Sequence, residues 1–305
     1  MDDDGAKHPT LLANAITLGG DFVASVANVA PSSSVAFTLA LLVSFSGLAS
    51  PLAVLVAGIL MLLVAIGYSR LNNWLPHAGA PYVWVGTIAP VIGYATGILA
   101  ILAATAANIG NITLAGSYLL GVVSPGTTFP NIVVFIVSIV VMALVIGLAV
   151  YGIRPSINVQ TAIIVFEYAI VILFVVLALK REIIDHPTGT TAPSFAAFAI
   201  HTSPTGLTGL FSAVVICGFL YAGWEAPLIL GEESQKPHFN PGRAAIMGGV
   251  FLTIWYTFLI IVFQGVAAPK DILANGTDVL GYAGRLLLPD PFSRLLPLAV
   301  LSAVF

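Results

Sequence analysis

Charge is the scarcest property of this sequence: charged residues fill 8% of its 305 positions, against about 25% in a soluble domain. A surface so poor in charge must face lipid rather than water. Cysteine is scarcer still. Cys217 stands alone inside an apolar run, so no intrachain disulfide is possible and the redox compartment cannot be read. The net charge of −3 comes without a basic patch, which argues against a nucleic-acid partner. Neither the scattered histidines nor Cys217 and Ser212 supply a metal cluster or a nucleophile–base pair, so no metal or cofactor is expected. The start, Met1-Asp2-Asp3-Asp4, is acidic where a secretory signal is basic, and no cleaved signal peptide is expected.

What the sequence has in abundance is apolar runs. It is 59% hydrophobic with a mean hydropathy of +1.05. At about 20 residues per span there is room for seven or eight transmembrane helices. We place them at residues 15–46, 51–68, 90–120, 131–150, 157–179, 207–230 and 244–267, with an eighth run starting near Phe292. About 14 residues remain after that point, too few to cross, so the sequence reads as cut short. Residues 69–82 form an interfacial connector, Gly152-Ile153-Arg154-Pro155 a tight turn, and 180–205 an extramembrane loop rather than a domain. The third run carries Gly93, Gly97, Ala100, Ala103, Ala104, Ala107 and Gly110, small residues that let helices approach closely. Asn108 and Asn111, three apart, turn one face of that run toward protein, either to bond across to another helix or to touch a substrate.

Positive charge orients the chain weakly. With an inside N-terminus, Lys7, Arg70, Arg154, Lys236 and Arg243 lie inside and Lys180, Arg181, Lys270, Arg285 and Arg294 outside. Only the discount for long loops favours the inside assignment.

Two runs are broken. The first, 15–46, would measure about 48 Å as one straight helix, against a hydrocarbon core of about 30 Å. Asn28-Val29-Ala30-Pro31-Ser32-Ser33-Ser34 interrupts it, and Pro31 disfavours a continuous helix by about 3 kcal/mol. The serines would then open a second half-helix whose N-terminus suits a carboxylate. An ordinary proline kink, with serines bonded back to carbonyls, fits equally well. The sixth run holds Gly218-Phe219-Leu220-Tyr221-Ala222-Gly223-Trp224-Glu225-Ala226-Pro227. A helix must loosen around Gly223 and Pro227, and the freed backbone groups need a polar cavity. A mid-membrane carboxylate costs about 2.5–3.5 kcal/mol, so Glu225 needs a partner or a task. Glu167, in the fifth run with no cation within a helical turn, is either a proton carrier or a buried protonated acid. Broken runs five positions apart are the arrangement of inverted five-helix repeats, here 15–179 and a partial second repeat, 206–305.

The residues themselves are familiar. Phe219 to Ala226, followed by Gly231-Glu232-Glu233-Ser234-Gln235-Lys236-Pro237, resembles the sixth span of the amino acid–polyamine–organocation permeases. Leu75-Pro76-His77-Ala78-Gly79-Ala80-Pro81-Tyr82 resembles that family's approach to the third span, and Gly152 through Glu167, with Val159-Gln160, its passage from the fourth to the fifth. The resemblance runs through essentially the whole chain. It implies an all-α integral membrane protein of LeuT-like inverted-repeat fold, with broken first and sixth helices and an incomplete second repeat. It also implies a secondary transporter in the plasma membrane, proton-coupled or an exchanger, that moves amino acids or related amines by alternating access. The substrate carboxylate would meet backbone N–H groups at Ala30, Pro31, Ser32, Ser33 and Ser34. The ammonium would meet carbonyls around Phe219, Tyr221, Ala222 and Gly223. Phe219 or Trp224 would close as a gate, with Asn108 a further contact. Glu225 matches a glutamate that some members use for proton sensing, and Glu167 stands where certain members place a lysine. The sequence departs from the pattern at that lysine, and at Ala30–Ser34, where many members are glycine-rich.

A channel or membrane-embedded enzyme on a similar bundle is the alternative, as is an inactive piece of a permease. A channel needs repeated rings of charge or carbonyls, which the sequence does not show.

Overall fold

The structure, a computed structural model, describes residues 14–150 and 157–303. The regular structure of the described residues is helical, with no strand and an isolated bridge between Ile16 and Ser234. The first run is two helices, α1 (Leu18–Ala27) and α2 (Pro31–Ser46). Thr17 caps α1, its hydroxyl oxygen accepting the Gly20 N–H at 3.2 Å. Helices α3 (Ser50–Trp74), α4 (Ala80–Ile88) and α5 (Pro90–Val123) follow, then α6 (Asn131–Val150) and α7 (Ile157–Lys180). The turn expected at Gly152-Ile153-Arg154-Pro155 lies outside the described residues. The sixth run is α8 (Gly206–Leu220) and the single turn α9 (Ala226–Ile229), followed by α10 (Asn240–Gly265), α11 (Pro269–Ala274), α12 (Val279–Leu287) and α13 (Leu295–Ser302).

Among the described residues four helical stretches are long and apolar enough to cross a membrane: Leu18–Trp74, Pro90–Val123, Ala162–Asp185 and Asn240–Gly265. Asn131–Gly147 and Gly206–Leu220 are shorter apolar helices. Ile101 and Leu102 on α5, Phe135 and Leu144 on α6, and Val165 and Val176 on α7 are exposed, a surface at ease in hydrocarbon and not in water. This is an all-α membrane protein.

Two of the elements that differ from expectation have a cause in the structure. Helix α3 runs on to Trp74 because its polar end has a partner: Asn72, fully buried, donates from Nδ2 to the Pro237 carbonyl at 2.8 Å. The stretch read as a connector ends in α4, where Pro81 sits in the first turn, a position that needs no N–H.

The chain divides into two compact units, and the division passes through both breaks. The first contains the described part of Met1–Asn28, with Met61–Ala100 and Gly223–Phe251. Its hub is the connector from Gly231 to Pro237. Glu232 accepts the Ala78 N–H at 2.8 Å, and Gln235 donates its backbone N–H to the Ile16 carbonyl at 2.8 Å. Ser234 donates its hydroxyl to Asp21 at 2.7 Å; both are buried, which gives this acid of α1 a polar partner away from lipid. Tyr68 packs against Trp84 and Trp224, with ring centroids 5.4 and 5.6 Å away.

The second unit contains Val29–Leu60, Ile101–Ala222 and Leu252–Phe305 as far as described. Here α2 and α8 pack along their length. They run antiparallel: Phe37 near the start of α2 meets Phe219 at the end of α8, while Thr205 before α8 donates to the Phe45 carbonyl at 3.2 Å. Gly58 lets α3 close on its neighbours, since a β-carbon there would stand 2.5 Å from Thr253 and 2.7 Å from the Tyr221 hydroxyl.

Candidate functional site

The break in the first run is built by Ala30 and Pro31. Ala30 adopts a left-handed φ of +49°, which interrupts the helix before α2. That conformation costs an L-residue roughly 1–2 kcal/mol, so the break persists against local preference. Pro31 then opens α2, its fixed φ suited to the first helical position.

A helix N-terminus leaves its first N–H groups without intrahelical partners. In α2, Pro31 has none to offer. Ser34 donates its N–H to the Ala30 carbonyl at 3.0 Å, closing the first helical turn. The Ser32 N–H goes to the Glu167 carboxylate, Oε1, at 2.9 Å. That leaves the Ser33 N–H, for which no acceptor among the described residues has ordinary geometry. The serine hydroxyls turn back to carbonyls: Ser33 to Ala30 at 3.0 Å, Ser34 to Val29 at 2.7 Å, and Ser32 across to Ala299 at 3.3 Å. Both sequence readings of this break thus describe part of it, because the half-helix is real and two of the serines bond back.

The other break has two sides. In the second unit, Phe219 lies 4.4 Å from Phe37 between ring centroids, with Gly110 of α5 against both rings. Tyr221 is buried and donates its hydroxyl to the Val54 carbonyl at 3.1 Å. The Tyr221 N–H satisfies the Cys217 carbonyl and the Ala222 N–H that of Phe219. Among the described residues no donor of ordinary geometry reaches the carbonyls of Leu220 or Ala222. The C-terminus of α8, rich in acceptors, therefore lies beside the N-terminus of α2, and the two ends carry opposite partial charge.

In the first unit, Gly223 has φ +109°, a conformation open to glycine, and its N–H meets Glu225 Oε2 at 3.2 Å. Helix α1 holds the two carbonyls that follow: Asn28 Nδ2 donates to Gly223 at 3.2 Å, and the Ser25 hydroxyl to Trp224 at 2.8 Å.

Of the residues singled out in the sequence, Ala30, Pro31, Ser32, Ser33 and Ser34 come together with Glu167, and Phe219, Tyr221 and Ala222 lie in the same unit. Gly223, Trp224 and Glu225 lie in the other unit with Ser25 and Asn28. Asn108 is exposed and donates to Ala104 of its own helix at 2.9 Å rather than to another helix, while Asn111 is half-buried. Sequence reasoning misses Ser25 and Phe37. Ser25 has a signal, since it stands three residues before Asn28 on one face of an apolar helix. Phe37 has none.

Over residues 14–304 the chain matches the sequence model of a family described as amino acid permease. It is 25% identical over 243 residues to the low-affinity putrescine importer PlaP of Escherichia coli (strain K12), a match covering 77% of this chain and 51% of that protein. It is 23% identical over 226 residues to the branched-chain amino acid permease BcaP of Bacillus subtilis (strain 168), covering 69% and 46%. The chain spans about half the length of the curated relatives it matches.

Proposed function

The chain belongs to the amino acid permease family, and on that premise we propose that it carries the substrate-binding machinery of a secondary transporter for amino acids or related amines. The observation that carries this reading is the antiparallel pair α2 and α8. α2 begins at a break and α8 ends at one, so the first presents N–H and the second carbonyl groups at the same end of the pair. Irregular backbone of this kind at membrane depth is characteristic of transporter sites for small charged solutes. The names of the two relatives, an amine importer and an amino acid permease, support the same class of solute.

In this proposal Ala30, Pro31, Ser32, Ser33 and Ser34 shape one side of the site, and Phe219, Tyr221 and Ala222 the other, with Phe219 as the aromatic gate. Asn108, Gly223 and Trp224 are assigned further substrate contacts. Inverted repeats at 15–179 and 206–305 would rock by alternating access in the plasma membrane, with the N-terminus in the cytoplasm. Reconstituted into proteoliposomes, the protein is expected to accumulate or counterflow members of a panel of amino acids and amines. Silence across the whole panel would sink the transporter reading.

Glu225 is the carboxylate we assign to proton coupling. It accepts the N–H of Gly223 inside the break, so gain of a proton changes the group that holds this turn. Glu167 is the second candidate. If protonated Glu225 is the state that binds substrate, uptake rises as pH falls and Glu225→Gln, a mimic of the protonated acid, flattens the profile. An unchanged pH profile in that variant removes Glu225 from the coupling step.

A further inference from the structure

We infer that the cavity between the α5–α6 junction and the segment from α11 to α12 holds one phospholipid from the bilayer. Its headgroup carries both a phosphate and a primary ammonium, as that of phosphatidylethanolamine does.

The cavity lies wholly within the second unit and measures about 430 Å³, within the range of small-molecule sites. No residue of either helix break lines it. One wall is the end of α5, the residues after Gly126 and the start of α6, and the other is the segment from Ala274 to Arg285. Two turns into the spans α5 and α6 close on each other. A β-carbon on Gly116 would stand 3.0 Å from the Ser138 backbone nitrogen, so the cavity ends there.

The polar end of the cavity is a charge pair. Arg285 donates from Nη1 to Asp278 Oδ2 at 2.7 Å, and the two side chains are 25% and 22% exposed. Nε and Nη2 of Arg285 have no acceptor of ordinary geometry among the described residues. A guanidinium with spare donors is a phosphate receptor. The Asp278 carboxylate and the Thr277 hydroxyl beside it suit an ammonium. Thr127, Thr128 and Asn131 add hydroxyl and amide groups on the opposite wall. A cation and an anion in contact complement a ligand that bears both charges, whereas a purely anionic ligand would meet Asp278 at the same place.

The other end is apolar and belongs to the lipid-facing surface. Leu120 of α5 and Val134 and Phe135 of α6 line it. Phe135 is exposed, and so are Ile132, Ile136 and Ile139 along the same face of α6. The charge pair sits where the chain leaves the spans, at the level of headgroups, and the apolar wall runs from there toward hydrocarbon. A lipid fills both parts at once. A free amino acid or amine fills only the first.

The test mixes the purified protein in detergent with dioleoyl phosphatidylethanolamine, phosphatidylcholine or phosphatidylglycerol at equal concentration and counts bound lipid by native mass spectrometry. One phosphatidylethanolamine per chain is expected, bound at least about fivefold more tightly than the other two. The choline lipid cannot donate hydrogen bonds from its methylated ammonium, and the glycerol lipid has no ammonium. Equal binding of all three overturns the inference, as does a preference for either of the others. Free phosphoethanolamine separates the sources of the headgroup. If it displaces the lipid at the same concentration, the site belongs to a soluble zwitterion and the lipid is overturned. Arg285→Gln should lower binding of phosphatidylethanolamine to the level of the choline lipid. Val134→Trp, which fills the apolar end and leaves the ion pair in place, should do the same. A preference unchanged in Val134→Trp, or in Arg285→Gln where that variant folds, overturns the assignment to this cavity.

Discussion

Gly223→Ala is expected to destabilise the protein by about 3 kcal/mol, while Gly218→Ala, five residues earlier, is expected to be neutral or mildly stabilising. Two costs combine at Gly223. Its φ of +109° lies where a side chain is strained whatever the space around it. The added β-carbon would also stand 2.8 Å from both Asn28 Nδ2 and the Asn28 carbonyl oxygen, and 3.0 Å from the carbonyl carbon. Two of those three atoms are backbone, so the clash cannot be relieved by rotating a side chain. Relief would have to move the end of α1 off the break. That movement would strip the Asn28 bond from the Gly223 carbonyl and loosen the Ser25 bond to Trp224. Gly218 is the matched control: it lies within α8, a methyl added there would meet nothing within 4 Å, and alanine is the better helix former. Thermal unfolding in detergent, followed by the loss of the monodisperse peak on gel filtration, reads the difference. Equal midpoints for the two variants would remove the proposed constraint.

How legible the fold is depends on whether local chemistry settles it. Helix α6 begins where the sequence places it, because Pro130 and Asn131 open an apolar run. The breaks at Pro31 and Gly223 are legible for the same reason, since proline and glycine act on the backbone within a turn of themselves. Helix α3 runs past the end expected at Tyr68. Arg70, Asn72 and Asn73 look like a loop, and only the distant Pro237 carbonyl makes Asn72 a helical, buried residue. Asp21 looks in sequence like an interruption of an apolar run. Its partner, Ser234, is far along the chain, and no periodicity announces such a pair. The candidate site divides in the same way. Which residues would line a broken helix can be read from composition. Which of their donors are already in use cannot, because Ser32 and Glu167 are 135 residues apart and their bond exists only in the tertiary structure.

That bond carries the second large effect, and two substitutions at one position separate its components. Glu167→Gln keeps an oxygen for the Ser32 N–H and removes only ionisation, so its stability should stay within about 1 kcal/mol of the parent. Glu167→Leu fills nearly the same volume with no acceptor at all. Ser32 is buried, and the space beside Pro31, Ser32, Glu167 and Trp255 is too small to hold a water, so its N–H would be stranded. A buried donor left without a partner costs about 1–3 kcal/mol, and the leucine variant should fall by about that amount. Alanine would be the poorer probe for this purpose, because the hole it leaves could admit a water to replace the carboxylate. The expected order of unfolding midpoints is parent and glutamine together, then leucine below them. If leucine equals or exceeds glutamine, the bond to Ser32 is not what holds the start of α2. If glutamine falls as far as leucine, the charge rather than the acceptor is what α2 requires, and the helix N-terminus is a true anion site held by electrostatics.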